Sequence, residues 1–409
     1  MRCRICENDR LVSLLDLGEQ HLTGVFPKRL DEHVTKGPLE LVRCAGDDAC
    51  GLVQLRHSYD SSELYGANYG YRSGLNRSMI EHLRAKVAKL TVIVTLQRGD
   101  IVLDIGSNDG TLLSFHQPGV TAVGMDPTSA TFREFYPSHA VVLPEFFSAA
   151  AFRAKLGEGR AKIVTSIAMF YDLDEPMEFV RQIAEVLDDE GIWHFEQSYL
   201  PAMLAQNAYD TVCHEHVEYY ALRQIKWMLD RCGLKIIALE QNDVNGGSFA
   251  VTAAKAASRH REDAGAVAAM LAAEERLGLD TPKPYEEFRQ RVFLHREKLL
   301  ATLAELSRKG ARVFGYGAST KGNVILQFCG LTPEQIPFIA EVNAAKFGKF
   351  TPGTCIPIIS EAEAHAMKPD YLLVMPWHFR DNLIQRETAY LQRGGKMIFP
   401  LPEIEIVGR

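Results

Sequence analysis

The pattern of hydrophobic and polar positions changes character several times along the 409-residue chain. Residues 1 to about 60 predict short strands joined by turns. From about residue 70 to 255, short β-branched runs alternate with helical stretches, a pattern typical of a parallel α/β sheet. Residues 256 to about 309 have a helical period and indicate a pair of linking helices. A second α/β pattern follows, with strands predicted at 335–341, 370–375 and 396–399.

We therefore predict an α/β protein in three parts: an N-terminal module at 1–65, a central Rossmann-like domain at 66–255 and a C-terminal Rossmann-like α/β domain at 256–409. Hydrophobic residues make up 46% and charged residues 24%, as in globular proteins. The net charge of −7 gives no electrostatic footprint for nucleic acid. The charged start "MRCRICENDR" lacks the apolar core of a signal peptide, and no apolar run approaches the ~20 residues that span a bilayer. We expect a cytoplasmic monomer without nucleic-acid or membrane partners.

Four of the eight cysteines lie in the N-terminal module, in two turns. Cys3 and Cys6 form a two-residue knuckle, and Cys44 and Cys50 follow in "CAGDDAC". Four thiolates suit tetrahedral Zn²⁺, and a fourth ligand leaves no open position, so the metal would be structural. The five residues between Cys44 and Cys50 are a wider spacing than usual. Four unrelated thiols therefore remain an alternative, and a redox pair is less favoured because no βαβ unit surrounds it.

The stretch "IVLDIGSNDGTLLSF" at 101–115 predicts a strand, a glycine turn and the start of a helix. Asp104 ends the strand. About 20 residues later, "AVGMDP" predicts a second strand that ends in Asp126, which is placed to bind ribose hydroxyls. An acidic strand end before a short G-x-x-x-G turn resembles the S-adenosylmethionine (SAM) site of class I methyltransferases more than a dinucleotide site. A purely structural turn is the alternative. The predicted cofactor-binding residues are Asp104, Gly106, Asn108, Gly110, Asp126, Pro127 and Phe146.

A second glycine loop, "RVFGYGASTKGNVILQ", occupies residues 312–327. Backbone N–H groups at a helix start, together with Lys321, suit an anionic phosphate. A nicotinamide-cofactor loop is an alternative, although Glu341 is then the only candidate for the acid that binds ribose, and a structural turn is another. The residues predicted to bind substrate in this loop are Tyr316, Ser319, Lys321 and Asn323.

Seven motifs in order resemble the sugar C-methyltransferases that act on nucleotide-linked 4-keto-6-deoxysugars, the C-3′-methyltransferase type. They are "CGLVQL", "YGYRSG", "DIGSNDGTLL", "FYDLDEP", "HEHVEYY", "NGGS" and "GYGASTKGN". The resemblance covers nearly the whole chain. It implies a zinc-binding N-terminal domain, a central SAM-binding domain and a C-terminal domain for the nucleotide diphosphate. It also implies that His216 is the catalytic base. Family members often have Tyr at the position of Cys213, His at Asn245 and Arg at Ala250.

The chemistry of carbon methylation is consistent with the stretch "YDTVCHEHVEYYAL" at 209–222. A 4-keto sugar becomes a carbon nucleophile when a base removes the proton beside the ketone, and histidine is a suitable base. We predict His216 as that base, Glu215 as its orienting carboxylate, and Tyr71 and Tyr219 as groups near the enolate oxygen. Metal binding by His214 and His216 lacks a third ligand, and a surface position is the remaining alternative. The other predicted substrate contacts are Tyr69, Arg72 and Asn245.

The leading functional prediction is SAM-dependent methylation at C3 of such a sugar. Methylation at C5 or at a heteroatom is a second interpretation. A nicotinamide-dependent sugar oxidoreductase and a zinc-bearing sugar-binding module without catalysis are the alternatives from other classes.

Overall fold

The computed structural model describes residues 1–65 and 72–408. Tyr69 and Tyr71, two of the predicted site residues, lie outside the described residues. Within the described ranges three β-sheets organise the chain, and each of them belongs mainly to one of the three predicted parts.

The helices and strands follow one another in chain order. The N-terminal part contains β1 (Leu11–His21), β2 (Lys36–Cys44), β3 (Val53–Leu55) and α1 (Ser61–Leu64). The central part contains α2 (Arg77–Ile93), β4 (Ile101–Ile105), β5 (Thr121–Met125), β6 (Val141–Leu143), α3 (Ala149–Leu156), β7 (Ala161–Ile167), α4 (Pro176–Val186), β8 (Leu187–Ser198), α5 (Leu200–Ala205), β9 (Glu218–Tyr219), α6 (Leu222–Arg231), β10 (Leu234–Asn242) and β11 (Ser248–Lys255). The C-terminal part contains α7 (Ala264–Arg276), α8 (Lys283–Arg308), β12 (Val313–Tyr316), α9 (Thr320–Phe328), β13 (Ile339–Glu341), β14 (Ile358–Ser360), α10 (Glu361–Ala366), β15 (Tyr371–Val374), α11 (Arg380–Arg386), α12 (Thr388–Gln392), β16 (Lys396–Phe399) and β17 (Glu405–Val407).

The N-terminal sheet is antiparallel and has the strand order β1-β2-β3-β9. Strands form here as predicted, but β1 with 11 residues and β2 with 9 are longer than the short strands that the pattern indicated. The fourth strand, β9, comes from the central part of the chain, and its Glu218 and Tyr219 are paired with Gln54 and Val53 of β3. The segment that carries the predicted catalytic histidine therefore completes the sheet of the N-terminal module.

The central sheet has seven strands in the order β10-β11-β8-β7-β4-β5-β6. The strands from β4 to β8 are parallel, and β11 and β10 extend the sheet in the antiparallel sense. β4 is buried along its whole length, as expected for a central parallel strand. The glycine loop after β4 leads only into a 3₁₀ turn at Leu113–Phe115, so the prediction of a helix start there is wrong. Pro118 and Gly119 leave no room for further turns before β5 begins.

The C-terminal sheet has the order β14-β13-β12-β15-β16-β17, and all but β17 are parallel. β13, β15 and β16 lie within or close to the three predicted strands. The strand order reverses between β12 and β15, as it reverses between β4 and β7 in the central sheet. Ligands of open α/β sheets bind at such switch points, beside the carboxyl ends of the strands.

The linking helices α7 and α8 confirm the helical period of residues 256–309. α8 buries residues spaced three or four apart, among them Phe288, Val292, Leu299 and Leu303. One hydrophobic core joins this helix to β1–β3 of the N-terminal sheet and to the C-terminal sheet. Among the described residues no helix is long and apolar enough to cross a membrane.

Candidate functional site

The four predicted cysteine ligands converge in the N-terminal module. All four Sγ atoms lie within 4.8 Å of one another, and the closest pairs, Cys3–Cys50 and Cys6–Cys44, are 3.4 and 3.5 Å apart. Zn–S bonds of about 2.3 Å place tetrahedral sulfur atoms roughly 3.8 Å apart, so the cluster has the size of a zinc site. In the described part of the chain it is the only group of three or more side chains with metal-ligating spacing.

The surroundings of the cysteines fit bound thiolates. Asn8 Nδ2 donates to Cys44 Sγ at 3.3 Å, and the Leu52 N–H donates to Cys50 Sγ at 3.4 Å. Such N–H donors stabilise sulfur atoms that carry negative charge. Cys3, Cys44 and Cys50 are almost completely buried. Four ligands in a closed shell make this a structural zinc site and not a catalytic one.

The first glycine loop lies at the carboxyl ends of β4 and β5. Asp104 is buried, accepts a hydrogen bond of 2.6 Å from Thr165 Oγ1, and has its pKa raised to about 7 by burial. Gly106 and Gly110 have φ values of +69° and +73°, which glycine adopts readily. A side chain on Gly110 would collide with the Tyr136 ring, whose hydroxyl donates to the Asn108 carbonyl at 2.8 Å.

Asp126 joins the two strand ends. One carboxylate oxygen accepts the Asn108 N–H at 2.8 Å, and the other accepts both the N–H and the hydroxyl of Thr128 at 2.6 Å. Asp126 thus caps the 3₁₀ turn that begins at Pro127, while it faces the same loop as Asp104. Phe146, in contrast, lies in a separate loop and is 53% exposed.

The segment at Arg72 rests on the first glycine loop. The Ser73 N–H donates to Asn108 Oδ1, and the Gly74 N–H donates to Asp109 Oδ2, both at 2.9 Å. Arg72 forms an ion pair of 3.3 Å with Asp109 and lies over a neighbouring phenylalanine ring. Arg72, predicted to bind substrate, is therefore held beside the cofactor loop.

His216 lies in a turn after the fully buried Cys213. Its Nδ1 atom is 3.1 Å from the Thr211 carbonyl oxygen, to which the Tyr219 hydroxyl also donates at 3.2 Å. Because a carbonyl only accepts, Nδ1 carries the proton and Nε2 presents a lone pair. The Tyr171 ring packs edge-on against the imidazole, with the centroids 4.3 Å apart. Burial, and then Lys321, lower the pKa of His216 to about 3.

The two neighbours of His216 point elsewhere. Glu215 is buried, accepts a hydrogen bond of 3.1 Å from the Thr23 hydroxyl, and has its pKa raised by burial. The partner that orients His216 is the Thr211 carbonyl and not the predicted carboxylate. His214 is fully buried against the Tyr59 ring, with a centroid distance of 4.7 Å, and burial lowers its pKa to about 4. Within the described ranges neither histidine belongs to a metal-ligating group.

The second glycine loop faces this histidine from the C-terminal sheet. Lys321, in the first turn of α9, approaches the Asn245 carbonyl with its Nζ atom at 3.4 Å and lowers the pKa values of both His216 and His378. Asn245 and His378 line a cavity of about 230 Å³ between α2 and the C-terminal sheet. The lysine thus lies between the two sheets, close to the predicted base.

Three other residues of this loop have internal contacts. The Ser319 hydroxyl accepts the Gly322 N–H at 3.0 Å and caps α9. Asn323 is buried, and its Nδ2 donates to the Thr23 carbonyl at 2.7 Å. Tyr316 is buried, and its hydroxyl donates to Glu387 at 2.6 Å. These contacts give no support to the substrate-binding roles predicted for Tyr316 and Asn323.

Three residues near His216 and the second glycine loop were not predicted from the sequence. Thr211 contacts His216 through its backbone carbonyl, and a backbone contact of this kind cannot be predicted from residue type. Tyr171 follows β7 and packs against His216. Its position after a predicted strand, in the motif "FYDLDEP", could have indicated a residue of the site. Trp377 follows β15, and its Nε1 donates to buried Asp210 at 2.7 Å, which ties the C-terminal switch point to the turn before His216.

Fold and site together define a SAM-binding methyltransferase with a four-cysteine zinc module. Three family models match successive parts of the chain: "Putative zinc binding domain" at residues 3–65, "Methyltransferase domain" at 75–239 and "C-methyltransferase C-terminal domain" at 243–402. The curated C-methyltransferase NovU of Streptomyces niveus is 33% identical over 99% of this chain and 96% of its own length. The chain therefore belongs to this family of SAM-dependent C-methyltransferases.

Among solved structures, part of the chain is similar to the magnesium protoporphyrin IX methyltransferase ChlM of Synechocystis PCC 6803 with bound SAM. It is 16% identical to this chain, and the match covers 43% of this chain and 79% of that one, with a TM-score of 0.33.

Proposed function

We propose that this enzyme methylates C3 of a nucleotide-linked 4-keto-6-deoxysugar through an enolate. The observation that carries the proposal is His216, whose Nδ1 donates to the Thr211 carbonyl, so that Nε2 is available as a base. The imidazole lies between the loops of two sheet switch points, where a cofactor and a sugar can meet.

The reaction requires a carbon nucleophile, and His216 can generate one. Nε2 accepts the proton on the carbon beside the ketone, and the electrons of that C–H bond delocalise into the enolate. The Nδ1 hydrogen bond to Thr211 holds the ring in one tautomer throughout. SAM, when bound at the first glycine loop, supplies the electrophilic methyl group. The proton then leaves Nε2 for solvent, which restores the base.

Lys321 has two roles in this proposal. Burial is the main cause of the lowered pKa of His216, and the positive charge of Lys321 lowers it further, so both favour the neutral imidazole. The same charge stabilises the negative charge that develops on the enolate oxygen or that resides on the diphosphate. A lysine in the first turn of a helix, where the helix dipole is positive, suits either anion.

Two acidic residues support the proposal that SAM binds at the first glycine loop. Asp104 and Asp126 line the first glycine loop. Asp126 accepts three hydrogen bonds from Asn108 and Thr128, so Oδ2 retains one of its two lone pairs for a ribose hydroxyl. Arg72, held over this loop by Asp109, is available to a polar group of the cofactor or the substrate.

Deuterium exchange tests the proposed base directly. With deuterium oxide, a thymidine-diphosphate 4-keto-6-deoxysugar and a SAM analogue that cannot transfer methyl, the parent enzyme should place deuterium on C3. His216→Asn should lose this exchange, and the matched control His214→Asn should keep it. Product NMR after turnover with SAM locates the new methyl group. A methyl group at C5, or exchange in His216→Asn at the parental rate, would contradict the proposal.

A further inference from the structure

Arg4 lies between Cys3 and Cys6 in the sequence, and its guanidinium contacts Leu55, Ser58 and Val217. The side chain is only 4% exposed. Its Nη1 atom donates to the Leu55 carbonyl at 2.8 Å and to the Val217 carbonyl at 3.3 Å. Arg4 is thus the direct contact between the zinc knuckle and the residue that follows His216.

The Val217 peptide is held from three sides. Its carbonyl accepts the Leu55 N–H at 2.9 Å in addition to Arg4, and its own N–H donates to the Tyr171 carbonyl at 2.9 Å. Tyr171 also packs against His216. A displacement of Val217 therefore changes both the backbone of the base and its aromatic neighbour.

The Arg4 guanidinium is also electrostatically enclosed. Its Nε atom lies 3.6 Å from carboxylate oxygens of Asp174 and fully buried Glu218, and Nη2 donates to the Ser58 hydroxyl at 2.9 Å. A planar guanidinium can donate to two carbonyls while its charge lies near buried Glu218, which a lysine ammonium cannot do with the same geometry. The contacts therefore specify arginine at this position.

We propose that Arg4 is a positioning residue for His216: the zinc knuckle holds Arg4, and Arg4 holds the Val217 peptide so that Nε2 of His216 points at the substrate carbon. This inference rests on the proposed function, in which His216 is the base. A misplacement of a reacting group by about 1 Å can cost about 100-fold in rate. We therefore expect loss of Arg4 to lower kcat by about 10- to 100-fold, with a small change in KM.

Arg4→Met tests the inference, and Arg43→Met is the matched control. Arg43 belongs to the same module and also donates to carbonyls, those of Leu279 and Asp280 at 3.3 and 2.7 Å, but it does not contact the segment of His216. Both variants should retain about one zinc per chain and the parental affinity for SAM. Arg4→Met alone should slow deuterium exchange into C3 and shift the NMR resonance of the His216 Nδ1–H.

The outcomes separate the two proposals. If His216→Asn abolishes exchange but folded, zinc-loaded Arg4→Met exchanges at the parental rate, Arg4 has no positioning role and the proposed function stands. If His216→Asn exchanges normally, the proposed function itself fails. If Arg4→Met does not fold, Arg4→Lys provides the test of the positioning role. Lysine keeps a positive charge beside Glu218 but lacks the planar guanidinium that donates to the two carbonyls. Parental exchange and an unshifted His216 resonance in Arg4→Lys would overturn the inference.

Discussion

Nδ1 of His216 lies 3.1 Å from the carbonyl oxygen of Thr211, and this contact determines the chemistry available to the imidazole. A carbonyl partner fixes the proton on Nδ1 and imposes no negative charge, unlike a carboxylate. Burial and Lys321 lower the pKa of His216 to about 3, so the ring is neutral across the physiological range. The site therefore holds a neutral imidazole beside the positive charge of Lys321, an arrangement that suits the base proposed above.

Substitution of this base should reduce the chemical step more than binding. His216→Asn should lower kcat by roughly 10²–10⁴, the usual contribution of a positioned general base, and leave SAM affinity unchanged. Glu215→Gln should have a smaller effect on kcat, because its carboxylate contacts Thr23 and not the imidazole. Steady-state kinetics and calorimetry with SAM measure these quantities. Equal losses of kcat in both variants would argue against the assignment of His216.

Removal of the Lys321 charge should move the pH profile. His216 acts unprotonated, so its lowered pKa keeps it active as the pH falls, and activity declines only where the ring gains a proton. Lys321→Met raises that pKa and should shift the acid limb of kcat/KM to higher pH. Lys349→Met, in which the altered charge has Lys28 and Glu32 as its neighbours, should leave the limb in place. If the pH profiles of Lys321→Met and Lys349→Met are the same, Lys321 does not influence the pKa of His216.

SAM binding should depend on the ionisation of Asp104. Burial raises its pKa to about 7, so the carboxyl group is mostly neutral at pH 6 and mostly charged at pH 8. Because SAM carries a sulfonium charge, its affinity should increase as the pH rises from 6 to 7.5, by a few-fold. Calorimetry over this range checks the trend, and Asp104→Asn should flatten it. An affinity that falls with pH in the parent would contradict a role for this carboxylate in binding.

Zinc loss should affect both stability and catalysis. Metal analysis should give about one zinc per chain. Cys3→Ser with Cys6→Ser should lower the melting temperature, because structural zinc contributes folding free energy. The same variant should slow deuterium exchange at C3 at temperatures where it remains folded, since the knuckle carries Arg4 against the Val217 peptide. If the double cysteine variant is less stable but exchanges deuterium at the parental rate, zinc contributes to stability and does not affect the catalytic step.

The sequence predicted the features that depend on local pattern. Strand periodicity predicted β4, β5, β13, β15 and β16. Cysteine spacing predicted the four-cysteine cluster, whose Sγ atoms the structure brings together. Glycine turns after strands located the two loops that the structure places at the switch points of the sheets. These signals are local because strand period, turn geometry and the spacing within a knuckle arise within a few residues.

The sequence could not predict contacts between distant parts. Glu215 pairs with Thr23, which lies 192 residues away, and the orienting group of His216 is a backbone atom. Tyr316 was predicted to bind substrate, but its ring is buried and its hydroxyl donates to Glu387, which lies 71 residues away. Such contacts are set by how the three sheets pack, which no local pattern specifies.

Strand β9 has a consequence for how the polypeptide acquires its shape. The ribosome completes β1, β2 and β3 about 160 residues before Tyr219, the partner of Val53, is made. Until then β3 is an unpaired edge, which is prone to wrong pairing, and the Arg4 guanidinium lacks the Val217 carbonyl. The N-terminal module therefore reaches its final form only after most of the methyltransferase domain has emerged. A fragment that stops at residue 65 would retain its cysteines but keep one side of its sheet open to aggregation.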